Sequence, residues 1–196
     1  MADSKTSDAT PKDKFLSGLQ LLLPTHFLSW CMYKITRIEA PWFKNAFIKV
    51  FMNMYRIGLD HAKVQKVEKF RHFNDFFTRE LKPGVRPLSA EPALLSPVDG
   101  TISQFGKIDN GRIFQAKGHS YNVVDLLGGA LENATPFLGG DFCTIYLAPY
   151  NYHRIHMPAD ATLRYWRYVP GRLFSVNPAT ARSMSSLFTR PKTGKR

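Results

Sequence analysis

A chain of 196 residues and 22.3 kDa is long enough to bury one sizeable core. Its 44% hydrophobic and 21% charged residues are globular values, not those of a disordered chain. The formal net charge of +12 predicts attraction to polyanions, either nucleic acid or an anionic lipid surface. Cys31 and Cys143 lie far apart, which argues against a disulfide framework and fits a reducing compartment.

Residues 1–14 are polar, mix Asp3, Asp8 and Asp13 with lysines, and read as a disordered tail without the apolar core of a secretory signal. From Phe15 to Tyr33 no Lys, Arg, Asp or Glu occurs, and Phe15, Leu16, Leu19, Leu22 and Leu23 recur at helical spacing. Gln20, Pro24, Thr25, His26 and Ser29 interrupt the run, which predicts two short apolar helices that do not span a bilayer. Lys34, Arg37, Trp30, Tyr33 and Trp42 suit helices lying in a membrane interface, although the same helices could simply cap a soluble core.

A helix is predicted over Trp42 to Ile57, with Phe43, Ala46, Phe47, Val50, Phe51 and Met54 as its apolar stripe. Lys44, Asn45, Lys49, Asn53 and Arg56 stand opposite, and Gly58 ends the helix. A charged connector leads to a third helix, Asn74 to Leu81, with Asn74 as its cap and Lys82-Pro83-Gly84 as its stop. After Pro87 short runs punctuated by Gly, Pro and Asn predict strands. Thr101 to Ile108 and Arg112 to Ala116 flank Asp109-Asn110-Gly111, the signal of a hairpin. Phe142 to Leu147 and Thr162 to Val169 supply further strands.

Chemistry concentrates between Tyr146 and Pro158, where His153 and His156 stand between Pro149 and Pro158 directly after a predicted strand. Imidazole titrates near neutral pH, which suits such a loop to proton transfer or metal binding; two structural histidines are the plainer reading. Ser96-Pro97-Val98-Asp99-Gly100 displays Asp99 at a strand entrance. Asp99 is a turn former or, paired with His153 or His156, one half of an acid-base relay that lacks a nucleophile. Lys117-Gly118-His119-Ser120-Tyr121 could line a polar pocket. Leu173, Phe174 and Val176, after the Pro170-Gly171 turn, could pack in the core or touch an acyl chain.

These motifs stand together in a known order. Phe73 to Leu81, Arg86-Pro87, Ser96 to Ile102, Lys117 to Tyr121, Tyr152 to Pro158 and Val169 to Asn177 resemble those of phosphatidylserine decarboxylase proenzymes of the membrane-bound bacterial type, over roughly Phe15 to Arg190. The resemblance implies an enzyme that converts phosphatidylserine to phosphatidylethanolamine and carbon dioxide through a Schiff base to a self-generated pyruvoyl group. In that family a serine of a Leu-Gly-Ser-Thr type motif becomes the pyruvoyl group, assisted by an Asp and a His. By position these are Asp99 and His156, while His153 falls near substrate as a proton donor. Lys117, His119, Tyr121, Arg154 and Phe174 are the candidate substrate contacts, and no metal is implied. The implied partners are phosphatidylserine, an anionic membrane and the small pyruvoyl chain, with a homodimer as a further case to test and no nucleic acid. The implied location is the cytoplasmic side of a bacterial inner membrane.

The expected fold is α+β: N-terminal membrane-associated helices, then a predominantly antiparallel β domain incomplete at the C-terminus. Its divisions are a tail over 1–14, a helical membrane-association region over 15–82 and a partial β-rich catalytic domain over 83–196. None of the thirteen glycines is followed by serine. The pyruvoyl-forming serine is therefore expected beyond Arg196, and the 196 residues alone are expected to be inactive. Three competing readings are a zinc-dependent hydrolase using His153, His156 and Asp99, a basic membrane- or RNA-binding module, and an inactive relic of the same family.

Overall fold

The computed structural model describes residues 10, 11, 15, 18–20, 23–89, 94–116, 119–169, 171, 173–176, 178–183, 187 and 189. Two units emerge, each discontinuous in sequence. A helical unit draws on residues 28–101 and 147–165, and a sheet unit on 1–27, 102–146 and 166–196.

Helix α1, Thr25–Ile35, follows Pro24. It ends at Thr36, whose hydroxyl donates to the Met32 carbonyl at 2.7 Å, and the Arg37 guanidinium lies 3.8 Å over the Tyr33 ring. A cation there also faces the negative end of the helix dipole. Helix α2, Pro41–Tyr55, opens on proline, whose missing N–H would have had no helical partner in the first turn.

Its buried face differs from the predicted stripe. Ile48 and Lys44 are buried, and Phe47, Phe51, Met52 and Tyr55 pack with them, whereas Val50 and Met54 are exposed. Lys44 is tolerated inside because its ammonium donates to Asn45 Oδ1 at 2.8 Å and to the Glu68 carbonyl at 3.0 Å. Two overlapping apolar stripes fit this sequence, and the one covered by the next segment is the one that packs. The helix also stops before Gly58. Arg56 takes the left-handed conformation (φ 54, ψ 46) and the Ile57 N–H closes on the Met52 carbonyl at 2.9 Å.

A 3₁₀ turn, Val67–Lys69, leads to α3, Phe73–Phe77, which is shorter than predicted. His72 is the cap, its Nδ1 accepting from the Asp75 N–H at 3.0 Å, in place of Asn74. Residues beyond Thr78 leave the helix to pair with the connector: Lys63 N–H reaches the Glu80 carbonyl at 2.8 Å and Lys82 N–H the His61 carbonyl at 2.9 Å. The core is aromatic. Phe73 stacks on Phe47 with centroids 4.3 Å apart, Phe51 meets Phe73 edge-on at 5.0 Å, and Phe76 and Ile48 are wholly buried.

The sheet unit contains β1 (Thr101–Lys107), β2 (Arg112–Ala116), β3 (His119–Asn122) and β4 (Asp141–Tyr146). The expected turn forms, with Asn110 at φ 49, Gly111 at φ 70 and Arg112 N–H on the Asp109 carbonyl at 2.8 Å. The expected β1–β2 hairpin does not. β1 pairs with β4, while β2 pairs antiparallel with β3 in the register Ile113↔Tyr121. Past the end of β1, Ile108 exchanges backbone hydrogen bonds with Gly140 (2.8 Å) and Gly139 (3.2 Å), so β4 returns antiparallel. Turn chemistry reverses the chain; it does not choose the partner strand. Thr162 to Val169, predicted as a strand, has no strand pairing, and Tyr165, Trp166 and Tyr168 are exposed.

Short helices α4 (Val123–Leu126) and α5 (Leu131–Ala134) close a small core of Ile108, Ile113, Tyr121, Val123 and Ala134. A last helix, α6 (Pro178–Ser183), is fastened by buried Gln115, whose amide donates to the Ala181 carbonyl at 2.9 Å. Helices and small sheets together give a mixed α+β fold. Among the described residues no helix is long and apolar enough to cross a membrane.

Candidate active site

Two proline-bearing segments of the helical unit lie side by side. Leu95 N–H donates to the Pro158 carbonyl at 2.9 Å, and His156 N–H donates to the Pro97 carbonyl at 2.8 Å. Both bonds fit one antiparallel register, 95 opposite 158 and 97 opposite 156. Each pair carries one bond where a ladder would carry two, because Pro97 and Pro158 have no N–H. The prolines thereby hold an extended pairing that does not propagate, and the turn bearing Asp99 sits beside the loop bearing His156. The Ser96 hydroxyl tightens that turn by donating to the Val98 carbonyl at 2.7 Å.

Asp99, Tyr152 and His156 line one cleft of about 480 Å³ together with Arg86, walled by apolar Leu88, Val98 and Met157. Asp99 is held by Arg86: Nε donates to both carboxylate oxygens at 3.1 and 2.9 Å, and Nη2 to Oδ2 at 2.5 Å. This bidentate pairing raises the Arg86 pKa above its ordinary value. His156 Nε2 shares a 3.0 Å hydrogen bond with the Tyr152 hydroxyl, the two rings stacked 5.5 Å apart. Asp99 and His156 thus share a cleft without a hydrogen bond between them. Arg86 and Tyr152, not among the sequence candidates, are their immediate partners; Arg86 stands in the Arg86-Pro87 motif and Tyr152 next to His153.

His153 and Arg154 face elsewhere. The His153 ring stacks on Phe77 at 4.1 Å and its Nε2–H donates to the Ala148 carbonyl at 3.0 Å. Burial pushes its pKa down, the carbonyl contact opposes this, and the nearby Arg79 charge adds to the lowering, so the ring is neutral at pH 7. The same Ala148 carbonyl accepts the Asn151 N–H at 2.9 Å, closing a turn around Pro149. Arg154, expected to meet substrate, is committed to the protein: Nε donates to the Thr78 carbonyl at 2.7 Å and Nη1 to Glu80 Oε1 at 3.1 Å. Lys63 also binds Glu80 at 2.8 Å, and these two cations hold the Glu80 carboxyl below its usual range. His153 and Arg154 fasten the loop to α3 and the strand-like segment after it, which frees His156 to enter the cleft.

The other candidates belong to the sheet unit. Tyr121 is buried in its core, where burial pushes the phenol pKa up and a hydrogen bond with Thr144 opposes it. His119 lies on β3 and Phe174 is half-buried in a segment without regular structure, while Lys117 falls outside the described residues. Asp99, His153 and His156 do not form a metal-ligand group, and none was found among the described residues. With a ring nitrogen of His153 bonded to Ala148, the hydrolase alternative is not favoured.

Comparison with known proteins agrees with the motif order. The family model described as phosphatidylserine decarboxylase matches residues 73–193, and a second, described as PSD, matches residues 17–56. The chain is 53% identical over 180 residues to the phosphatidylserine decarboxylase proenzyme of Pseudomonas aeruginosa, an overlap covering 91% of this chain and 62% of that one. Similar proenzymes from Bordetella pertussis (54% over 180 residues; 91% and 61%) and Pseudomonas fluorescens (54% over 172 residues; 87% and 60%) match in the same way. The chain therefore spans about three fifths of the length of the curated relatives it matches. By the extent of these matches, and by the Asp99 and His156 motifs that share one cleft, the chain belongs to the phosphatidylserine decarboxylase family.

Proposed function

We propose that this chain carries the processing and headgroup-binding part of an enzyme that decarboxylates phosphatidylserine to phosphatidylethanolamine. The observation that carries the reading is the cleft in which Asp99 and His156 meet, within a chain 53% identical to a named proenzyme. No Gly-Ser pair lies in the 196 residues, so the pyruvoyl precursor would come from a segment contributed to this cleft. The donor set fits that role: an imidazole to take a hydroxyl proton, with a carboxylate nearby to stabilise the imidazolium. When present, a pyruvoyl group supplies the electron sink for loss of carbon dioxide. The protein's part is orientation. Tyr152 fixes the His156 ring, Arg86 positions the Asp99 carboxylate, and the neutral His153 holds the loop on Phe77.

The same reading places the chain peripherally on an anionic membrane, at the cytoplasmic face of a bacterial inner membrane. Its support is the exposed set Phe27, Trp30, Met32 and Tyr33 on α1 and Trp42, Val50 and Met54 on α2, with Lys34 in the last turn of α1 and Arg37 just after it. The partners of this reading are phosphatidylserine and the pyruvoyl-bearing chain of the same proenzyme.

A chimera tests it. Residues 1–190 fused to the remainder of the Pseudomonas aeruginosa proenzyme should cleave itself into two chains and release carbon dioxide from phosphatidylserine. Asp99→Asn and His156→Gln should each slow self-cleavage by about 10²–10⁴-fold. Cleavage at the unchanged rate in both variants, or a cleaved chimera that releases no carbon dioxide, overturns the proposal.

A further inference from the structure

Beside the cleft described above lies a second, of about 340 Å³, sharing Arg86, Asp99 and Tyr152 with it. Arg79 lines this second cleft. It is only 8% exposed, and its Nη1 is buried without a hydrogen-bond partner among the described residues. Its guanidinium lies 5.4 Å from the Phe76 ring centroid, a contact that attracts the charge but accepts no N–H in the plane of the fork. Burial lowers the Arg79 pKa, as expected of a cation without a counter-ion. The acids lining the cleft do not supply one: Asp99 is held by Arg86, and Asp60 is exposed and forms no ion pair with Arg79. Arg56 adds a second positive charge to the lining, and His61, Tyr150 and Asn151 add polar groups.

A buried guanidinium with an unpaired N–H is costly to keep unless an acceptor arrives. We infer that Arg79 is the floor of an oxyanion site that takes the phosphodiester of the lipid headgroup. A tetrahedral phosphate can accept from donors in several directions, and Arg79 and Arg56 both line this cleft; a planar carboxylate is served by one fork. The inference rests on the proposed function. In phosphatidylserine two carbons separate the phosphate ester oxygen from the amine, so a phosphate in the second cleft leaves the serine moiety at the wall shared with the first, towards His156.

The test is calorimetric titration of the 196-residue chain at pH 7 with inorganic phosphate and with sn-glycero-3-phosphoserine. Near-UV circular dichroism checks that each variant is folded. Phosphate should bind, and glycerophosphoserine should bind about tenfold more tightly. Arg79→Gln should weaken both by about tenfold or more, the loss of one charge-assisted contact. Arg79→Lys, which keeps the charge and guards against a folding defect, should fall between, and Lys107→Ala in the sheet unit should change nothing. Equal binding by wild type and Arg79→Gln, or no binding of either ligand, overturns the site. Equal affinity for phosphate and glycerophosphoserine overturns the lipid source and leaves a free-phosphate site. Because these titrations need neither self-cleavage nor carbon dioxide release, failure here and failure of the decarboxylase reading are separate results.

Discussion

Among the described residues, the helical unit and the sheet unit bury apolar cores of different size. In the first, eight buried residues from Ile48 to Phe76 lock through stacked and edge-on rings, and Phe47, Phe51 and Phe77 pack around them. In the second, five buried residues close a smaller core, while Phe105, Leu131, Trp166 and Tyr168 remain exposed. The cleft with Asp99 and His156 belongs to the first. A site whose members must hold their angles gains from a dense aromatic support, since rings have few rotatable bonds and fix whatever stacks on them. His153 on Phe77 is the point where that support reaches the loop bearing His156.

The contrast can be broken at its deepest point. Phe76→Ala should cost about 3–5 kcal/mol, read as faster hydrogen exchange of α2 amides, whereas Ile113→Ala should cost about 2–3 kcal/mol and loosen β2 alone. If Ile113→Ala proves the more damaging, or if either variant loosens both units equally, the difference in core size has no energetic counterpart. Arg154→Ala should cost about 1–2 kcal/mol by leaving the part-buried Thr78 carbonyl short of a donor, and Arg154→Lys should recover part of it. An unchanged urea midpoint for Arg154→Ala would mean that the loop needs no such fastening.

The smallest effect concerns pH. Because burial lowers the His153 pKa, the unfolded chain takes up a proton near its ordinary value of about 6.5 while the folded chain resists it. The stability this group contributes is present above that value and is lost as pH falls through the lower folded pKa. His153→Gln should therefore show a smaller drop in urea midpoint between pH 7.5 and 5.5 than the wild type. An equal drop assigns the acid sensitivity to other groups.

Much of the local structure was legible. Pro24 and the helical spacing of Trp42 to Ile57 mark α1 and, to within a turn, α2, and Asp109-Asn110-Gly111 marks a turn, because proline geometry, side-chain periodicity and left-handed φ are properties of a few adjacent residues. The motif order pointed to Asp99 and His156 alike, and the two line one cleft, though each is held by a residue, Arg86 or Tyr152, that the sequence candidates did not include. Partnership was not legible. Which face of α2 is buried, which strand β1 meets, and whether Thr162 to Val169 pairs at all depend on segments distant in sequence.

The amino-acid sequence by itself determined roughly where α1 and α2 lie and where the chain turns at Asp109-Asn110-Gly111, because short-range sterics and hydrogen bonding decide those matters. Only the tertiary structure decided that Arg86 holds Asp99, that Tyr152 holds His156, and that Arg154 serves Thr78 and Glu80 instead of a ligand. It also left Arg79 buried with no partner at Nη1 among the described residues. A long cationic side chain can reach several acceptors, and only the packed chain fixes which of them lies within 3 Å.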